Sequence, residues 1–399
     1  MHRRTFLTAG LAATTAAAIG GKAWSAPATD QRLLVVFLRG GYDAINVVIP
    51  TSSDFYYESR PTLAIARPDS TNANAALSLD GDWSLHPALK DSLYPLWAKK
   101  QIAFVPFAGT DDMTRSHFET QDTIELGQPV GGPRNYRSGF MGRLAQELSG
   151  GRPIAFTAQP PLAFQGPMSV PNVAITSVGK PGLDERQARL IQEMYRGHQL
   201  QAAVTEGFSA RDKAYAALAG EMAAANRNAI SPSGFELAAR RVARLMKTDY
   251  NLAFLDVGGW DTHVNQGGAT GVLADRIGQL GRGLAALAED IGPETWAKTT
   301  VVVISEFGRT FKENGDKGTD HGHGSVYWVL GGAVKGGRMA GEQVAMVAKS
   351  LNQGRDLVVL ADNRAMMSSI IQRLYGLRRD QTEKIFPGGP GPLESLSLV

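Results

Sequence analysis

Five short, nearly unbroken apolar runs constrain this chain more than any other feature: residues 33–38 (LLVVFL), 102–105 (IAFV), 154–157 (IAFT), 252–255 (LAFL) and 301–304 (VVVI). Runs without polar alternation suit strands covered on both faces, as in a parallel sheet sandwiched between helices. Between them, residues 87–99, 118–126, 138–148 and 272–290 carry the apolar period of helices. The alternation predicts an α/β fold: a doubly wound, largely parallel sheet with helices on both faces. From 183 to about 250 the chain is helical in character, rich in Ala, Arg, Gln and Glu and broken at Ser231-Pro232-Ser233-Gly234, so a helical insertion is expected there. Residues from Gly388 onward read as a frayed tail.

The N-terminus bears on location. Arg3-Arg4-Thr5-Phe6-Leu7, a small-residue apolar stretch over 7–21 and Ala23-Trp24-Ser25-Ala26-Pro27 read as a twin-arginine export signal of residues 1–25, cleaved after Ser25. The remainder, 26–399, is expected to form a single domain. The apolar stretch falls short of the roughly 20 residues that span a bilayer, so a periplasmic protein without a stable membrane anchor is expected. Its partner during export would be the twin-arginine translocase, a route for folded chains that suits cofactor uptake before export. The net charge of +3 matches the three cations in residues 1–25, Arg3, Arg4 and Lys22, which have no acid beside them. The rest is therefore formally neutral and lacks the basic footprint of a nucleic-acid binder. With 0 cysteines, disulfides, thiolate ligands and thiol nucleophiles are excluded.

Ligands of open α/β sheets collect at the carboxyl ends of the strands. Four of the five runs lead there into residues capable of chemistry. Arg39-Gly40-Gly41-Tyr42-Asp43 and Asn46 follow the first run. Thr114-Arg115-Ser116-His117 follows the second, Gly258-Gly259-Trp260-Asp261-Thr262-His263 the fourth, and Glu306 and Arg309 the fifth. Asp261 and His263, at i and i+2, turn toward one face of an extended segment, with Trp260 anchoring the other side. Gly318-Thr319-Asp320-His321-Gly322-His323-Gly324 is the densest cluster, and its glycines permit close backbone approach. Ser116 with Glu119 spells a capping box, yet the same position could present a nucleophile at a positive helix end. His117 could be a ligand, a proton donor or a packed helix residue. His86, before Pro87, reads as a cap or packing residue.

Convergence of Asp43, Asp261, Glu306 and Asp320 would place four negative charges in one pocket, at a cost of several kcal/mol per partly buried ion. One or two divalent cations would compensate and could activate a hydroxyl or water. Oxygen and imidazole ligands favour zinc or manganese and leave calcium and magnesium open.

Phe37-Leu38-Arg39-Gly40-Gly41 with Asp43 and Asn46, Arg60-Pro61-Thr62-Leu63-Ala64-Ile65, Leu85-His86-Pro87-Ala88-Leu89, Ser116-His117-Phe118, the Gly258 string, Ser305-Glu306-Phe307-Gly308-Arg309-Thr310 and Gly318-Thr319-Asp320-His321-Gly322 resemble the exported, sulfatase-like family called domain of unknown function 1501. A remoter resemblance runs to the alkaline phosphatase superfamily. The resemblance implies an alkaline phosphatase/sulfatase-like fold, with Asp43 as the first-strand metal aspartate, Ser116 as nucleophile, and Asp261, His263 and His321 as ligands. Glu306 stands where relatives carry Asp-His, and His323 resembles a variable late ligand.

Formylglycine sulfatases need Cys or Ser in C/S-x-P-x-R, and this chain has no P-x-R string, so that mechanism is excluded. The expectation is an exported metal-dependent hydrolase acting on a phosphate or other anionic ester, of small-molecule or envelope-polymer origin. Asp43, Asp261, His263 and His321 would hold metal, with Asp320, Glu306 and His323 as further ligands or supporting groups. Ser116 and His117 would be catalytic; Arg115, Arg309 and Asn46 would contact substrate. The alternative is a non-catalytic periplasmic binding or assembly protein that keeps a metal-site-like pocket.

Overall fold

A computed structural model describes residues 30–174, 185–209 and 234–399. The expected signal segment and the break at Ser231-Pro232 lie outside the described residues. The strands in chain order are β1 (Arg32–Leu38), β2 (Val48–Ile49), β3 (Leu77–Ser78), β4 (Ser84–Leu85), β5 (Ile102–Gly109), β6 (Pro153–Phe156), β7 (Leu252–Val257), β8 (Thr299–Ser305), β9 (Ser325–Gly331), β10 (Arg338–Met339) and β11 (Ala361–Asp362). The main sheet has the order β10-β5-β9-β8-β1-β7-β6, with β11 also on β5; β2, β4 and β3 form a small separate sheet. All five apolar runs are strands of the main sheet. Its pairings are parallel except those of β9, which runs antiparallel to both β5 and β8.

Both faces are buried, which is why the runs lack polar alternation. Leu34, Val36 and Leu38 of β1 enter one core and Leu33, Val35 and Phe37 the other. The first core is closed by the helices Phe235–Thr248 and Val272–Ile291. Leu273, Ile277, Leu280, Leu284, Leu287 and Ile291 form the buried stripe of the second of these. Each such side chain stabilises the fold by about 1.5–3 kcal/mol. The two helices meet closely because Gly283 leaves room for the Phe235 ring, which a Cβ there would approach to 2.3 Å. The helices Phe140–Glu147 and Asn363–Tyr375 cover the opposite core.

Two differences from the sequence reading have simple causes. Strand β9, with Val326 to Leu330 fully buried, sits so close behind the glycine-rich string that the loop signal masks its onset. Residues 185–194 and 201–209 are helical, and Phe235–Thr248 packs into the helical layer against the sheet, with Ala239, Val242 and Leu245 buried. The tail is tied down rather than frayed: Leu396 and Leu398 are buried, and the Lys335 amide donates to the Leu398 carbonyl at 2.8 Å. No helix among the described residues is long and apolar enough to cross a membrane.

The direction of β9 decides where the site forms. Because it is antiparallel, the loop entering it reaches the same sheet edge as the loops leaving β1, β5, β7 and β8.

Candidate metal centre

At that edge three imidazoles and a carboxylate converge. His117 opens the helix His117–Leu126, which follows the β5 loop. Asp261 and His263 come from the β7 loop, and His321 from the segment before β9. Trp260 is buried, donates its indole N–H to the Val257 carbonyl at 2.9 Å and packs edge-on against Tyr42, so it fixes the loop that presents Asp261. His117, Asp261 and His321 each bring a potential ligand atom within 4.8 Å of the others, a grouping that could hold a metal ion. Nε2 of His321 lies 2.9 Å from Nε2 of His117 and 3.2 Å from Nε2 of His263. Asp261 Oδ1 is 2.9 Å from His263 Nε2 and 3.3 Å from His321 Nε2, while Oδ2 is 3.5 Å from His117 Nε2.

The far nitrogen of each ring is held from behind. His117 Nδ1 donates to Glu306 Oε1 at 2.8 Å, His263 Nδ1 to Asp320 Oδ1 at 3.2 Å, and His321 Nδ1 to the Arg115 carbonyl at 3.1 Å. Arg115 presents that carbonyl from a left-handed backbone, φ 54°. Since all three partners are acceptors, the Nδ1 atoms donate to them and the Nε2 atoms are the ones that face inward.

Glu306 is fully buried, and its Oε1 also accepts from the Gly40 amide and from Gln121 Nε2, both at 2.8 Å. Burial pushes its carboxyl up, but bonds from His117, Gln121 and Ser305 outweigh this and hold it below the usual range. The hydrogen bond to Glu306 raises the His117 pKa, and burial lowers that of His321. Burial also acts upward on Asp261, where Arg309 reverses it and leaves the carboxyl lowered.

The structure places several nominated residues away from this convergence. Asp43 is fully buried and ion-paired to Arg60, with Oδ1 3.0 Å from Arg60 Nη2, and its Oδ2 also accepts from Gln266 Nε2 at 2.6 Å. This corrects the expectation of a metal ligand, because the carboxylate already has its cation. Asn46 is also fully buried: its amide donates to the Leu63 carbonyl, and its oxygen accepts from Tyr56 and Arg60, so it ties interior groups together. Glu306 and Asp320 stand behind His117 and His263 rather than among the inward-facing atoms. His323 is buried beside Asp356 and Arg115, outside the trio, and burial lowers its pKa.

Neither arginine nominated for substrate is free. Arg115 bonds Asp356 and Gln353, each at 3.0 Å. Arg309, its side chain fully buried, donates to the carbonyls of Gly40, Gly41, Trp260 and Thr319 and pairs with Asp261, pinning together the loops after β1 and β7 and the segment before β9. Ser116 is the N-cap of its helix, its Oγ accepting from the Glu119 amide at 3.5 Å. Glu119 does not return the bond; it pairs with Arg134 at 2.6 Å, so only half of the capping box forms. His86 is a cap, accepting at Nδ1 from the Ala88 amide at 3.0 Å.

Residues 30–386 match the family described as "Protein of unknown function (DUF1501)". The chain belongs to that family. A comparison with curated proteins found no match. Among solved structures, this DUF1501 chain is similar to the lipoteichoic acid synthase LtaP from Listeria monocytogenes, at 8% identity and TM-score 0.40, covering 94% of this chain and 77% of that one. It is also similar to a protein in the alkaline phosphatase superfamily from Vibrio parahaemolyticus, at 11% identity and TM-score 0.35, covering 88% and 68%.

Sequence reasoning assigned no role to Gln121, Arg60 or Gln266. Gln121 lies one turn after His117, so an i, i+4 reading of a helix beginning at His117 would have found it. Arg60 acts from 17 positions beyond Asp43. Gln266 links Asp43 to Thr262 and Thr319 from inside a loop, where no periodicity marks it.

Proposed function

We propose that this DUF1501 protein is an exported, metal-dependent hydrolase of anionic esters, phosphate esters above all, with one divalent ion held by His117, His321 and Asp261 and with His263 alongside. The observation that carries this reading is the inward convergence of three imidazole Nε2 atoms, two pairs of them 2.9 and 3.2 Å apart. Lone pairs 2.9 and 3.2 Å apart repel one another unless a proton or cation lies between them. Ligands bound tetrahedrally at 2.0–2.1 Å are spaced about 3.3 Å apart, close to the separations found here. The donor set, imidazole and carboxylate without sulfur, fits zinc or manganese. Carboxylate or carbonyl groups behind each imidazole fix its tautomer, as metal-ligating histidines require.

A divalent ion held there would supply Lewis-acid polarisation of a bound ester. Glu306 and Asp320 hold the imidazoles in register and, by accepting at Nδ1, direct the Nε2 atoms inward as the basic, ligating nitrogens. Arg309 neutralises part of the charge on Asp261 with a permanent cation, which favours one ion over two. Ser116, at the helix start next to His117, is the candidate nucleophile, since its single cap contact is long and leaves the hydroxyl able to turn. The twin-arginine start supports export to the periplasm.

The test is metal analysis of the purified mature protein, with a phospho- and sulfo-ester screen of wild type, Asp261→Asn and Ser116→Ala. Stoichiometric metal in wild type, with metal and turnover both reduced in Asp261→Asn, is expected. Ser116→Ala should keep the metal and lose turnover. Turnover unchanged in both variants would remove the mechanism. The engagement of Arg115 and Arg309 in internal bonds favours a second reading, a metal-bearing binding or assembly protein, and stoichiometric metal without turnover would select it.

A further inference from the structure

Arg143 is a half-buried cation without an anion. From the helix Phe140–Glu147 its Nε donates to the Ile385 carbonyl at 2.8 Å and its Nη2 to the Leu126 carbonyl at 2.6 Å. Its Nη1 donates to the carbonyl and hydroxyl oxygens of Ser138 at 2.6 and 3.0 Å. Carbonyls satisfy donors but leave a unit charge standing. Arg39, Arg60, Arg309 and Arg364 each face a carboxylate, whereas burial alone acts on Arg143 and lowers its pKa to about 10. Beside it opens a cavity of about 340 Å³ whose polar lining is Gln128, Asn135, Ser138 and Arg143, among glycines and prolines, with no acidic side chain. Gln128 Nε2 donates to the carbonyls of Asn135 and Ser138 at 3.1 and 2.9 Å, which fixes the wall that faces Arg143. The Asn135 amide nitrogen, the Ser138 hydroxyl proton and one N–H of Arg143 Nη2 have no acceptor among the described residues. The cavity is separate from the metal centre: His117 opens the helix His117–Leu126 and Gln128 lies past its other end, about 15 Å away by helical rise.

We propose that this cavity binds an oxyanion of the phosphate or sulfate class, with Arg143 as its counter-charge and Asn135 and Ser138 as donors. A guanidinium beside neutral donors, with no carboxylate to compete, suits the several acceptor oxygens of such a group. The bound anion completes the charge balance of Arg143, which joins the end of the helix His117–Leu126, the loop 128–138 and the helix Arg379–Ile385. Occupancy therefore stabilises the folded chain by linkage. The site stands independently of the metal-centre reading.

The test is calorimetric titration of the mature protein with inorganic phosphate, sulfate and methyl phosphate at constant ionic strength. Asn135→Asp is introduced both into wild type and into Asp261→Asn, where the metal centre is disabled. It sets a carboxylate in the cavity and keeps the oxygen that holds the Arg137 amide at 3.0 Å, so the loop stays folded. In the Asp261→Asn background phosphate and sulfate should still bind, and adding Asn135→Asp should weaken both at least about tenfold. Phosphate should also raise the melting temperature of that background by about 3 °C over a chloride control, and this rise should vanish with Asn135→Asp. Methyl phosphate binding as inorganic phosphate does identifies an ester headgroup as the ligand, and binding of the inorganic ions alone a free oxyanion; either upholds the site. Anion binding unaltered by Asn135→Asp in both backgrounds, or lost entirely in Asp261→Asn, would overturn it and leave the metal centre as the place where anions bind. Wild type that binds none of the three would overturn it as well.

Discussion

Glu306 Oε1 stands 2.8 Å from His117 Nδ1 and receives two further hydrogen bonds, from Gln121 and the Gly40 amide. A buried carboxylate thus sets the tautomer of an imidazole at the sheet edge, and Gln121 is itself oriented by Arg39, which donates to its Oε1 at 2.8 Å. Glu306→Gln keeps the shape and removes the charge. Zinc affinity should fall 10- to 100-fold with the fold retained, as measured by competition with a chelator. Unchanged affinity would separate Glu306 from metal binding.

Asp43 and Arg60 should matter for stability rather than for metal. Asp43→Asn leaves the Arg60 guanidinium buried without its counter-charge, so unfolding free energy should drop by about 3–5 kcal/mol. Urea denaturation reads the loss, and metal analysis of the folded fraction should match wild type. A variant of normal stability that lacks metal would restore Asp43 to the ligand set.

Gly40→Ala should damage the site through the backbone. Gly40 has φ +124°, and a Cβ there would come within 2.6 Å of the Asp261 amide nitrogen. The β1 loop would have to move off the Asp261 loop, losing bonds to Glu306 and Arg309. Reduced zinc content together with a lower melting temperature is expected; a variant with wild-type metal content would show that the two loops move independently.

His86 predicts an acid-sensitive step. Burial pushes its pKa down to about 4, against a smaller opposing effect from the Gly268 carbonyl. In the unfolded chain the ring titrates near its ordinary 6.5, so below that pH the unfolded state binds the extra proton first. Stability is therefore fully present above 6.5 and lost as pH falls toward 4, by up to roughly 3 kcal/mol. Urea midpoints of wild type and His86→Gln across this range should diverge in slope, the variant being flatter. Parallel slopes would rule out His86 as the group responsible.

Much of the fold was legible because a buried parallel strand cannot hide: its apolar residues must be continuous. The candidate site was legible only in part. Sequence reveals which residues carry imidazoles and carboxylates, and it nominated all three histidines whose Nε2 atoms meet. It cannot show which cation a buried carboxylate will face, so Asp43 read as a ligand although Arg60 had claimed it. Nor can it show that Arg309 and Arg115 will bond to groups in loops distant in the chain.

Local chemistry, then, determined the strands, the helical period, the loops rich in glycine and histidine, and the absence of thiol chemistry, because each depends on neighbouring residues alone. The tertiary structure decided which polar groups face one another. The antiparallel course of β9 brings His321 to the edge where β5 and β7 deliver His117 and Asp261, and the burial of Arg60 withdraws Asp43 from that meeting. Pairing of charges in a low-dielectric interior depends on distances between loops, and those distances exist only once the chain has folded.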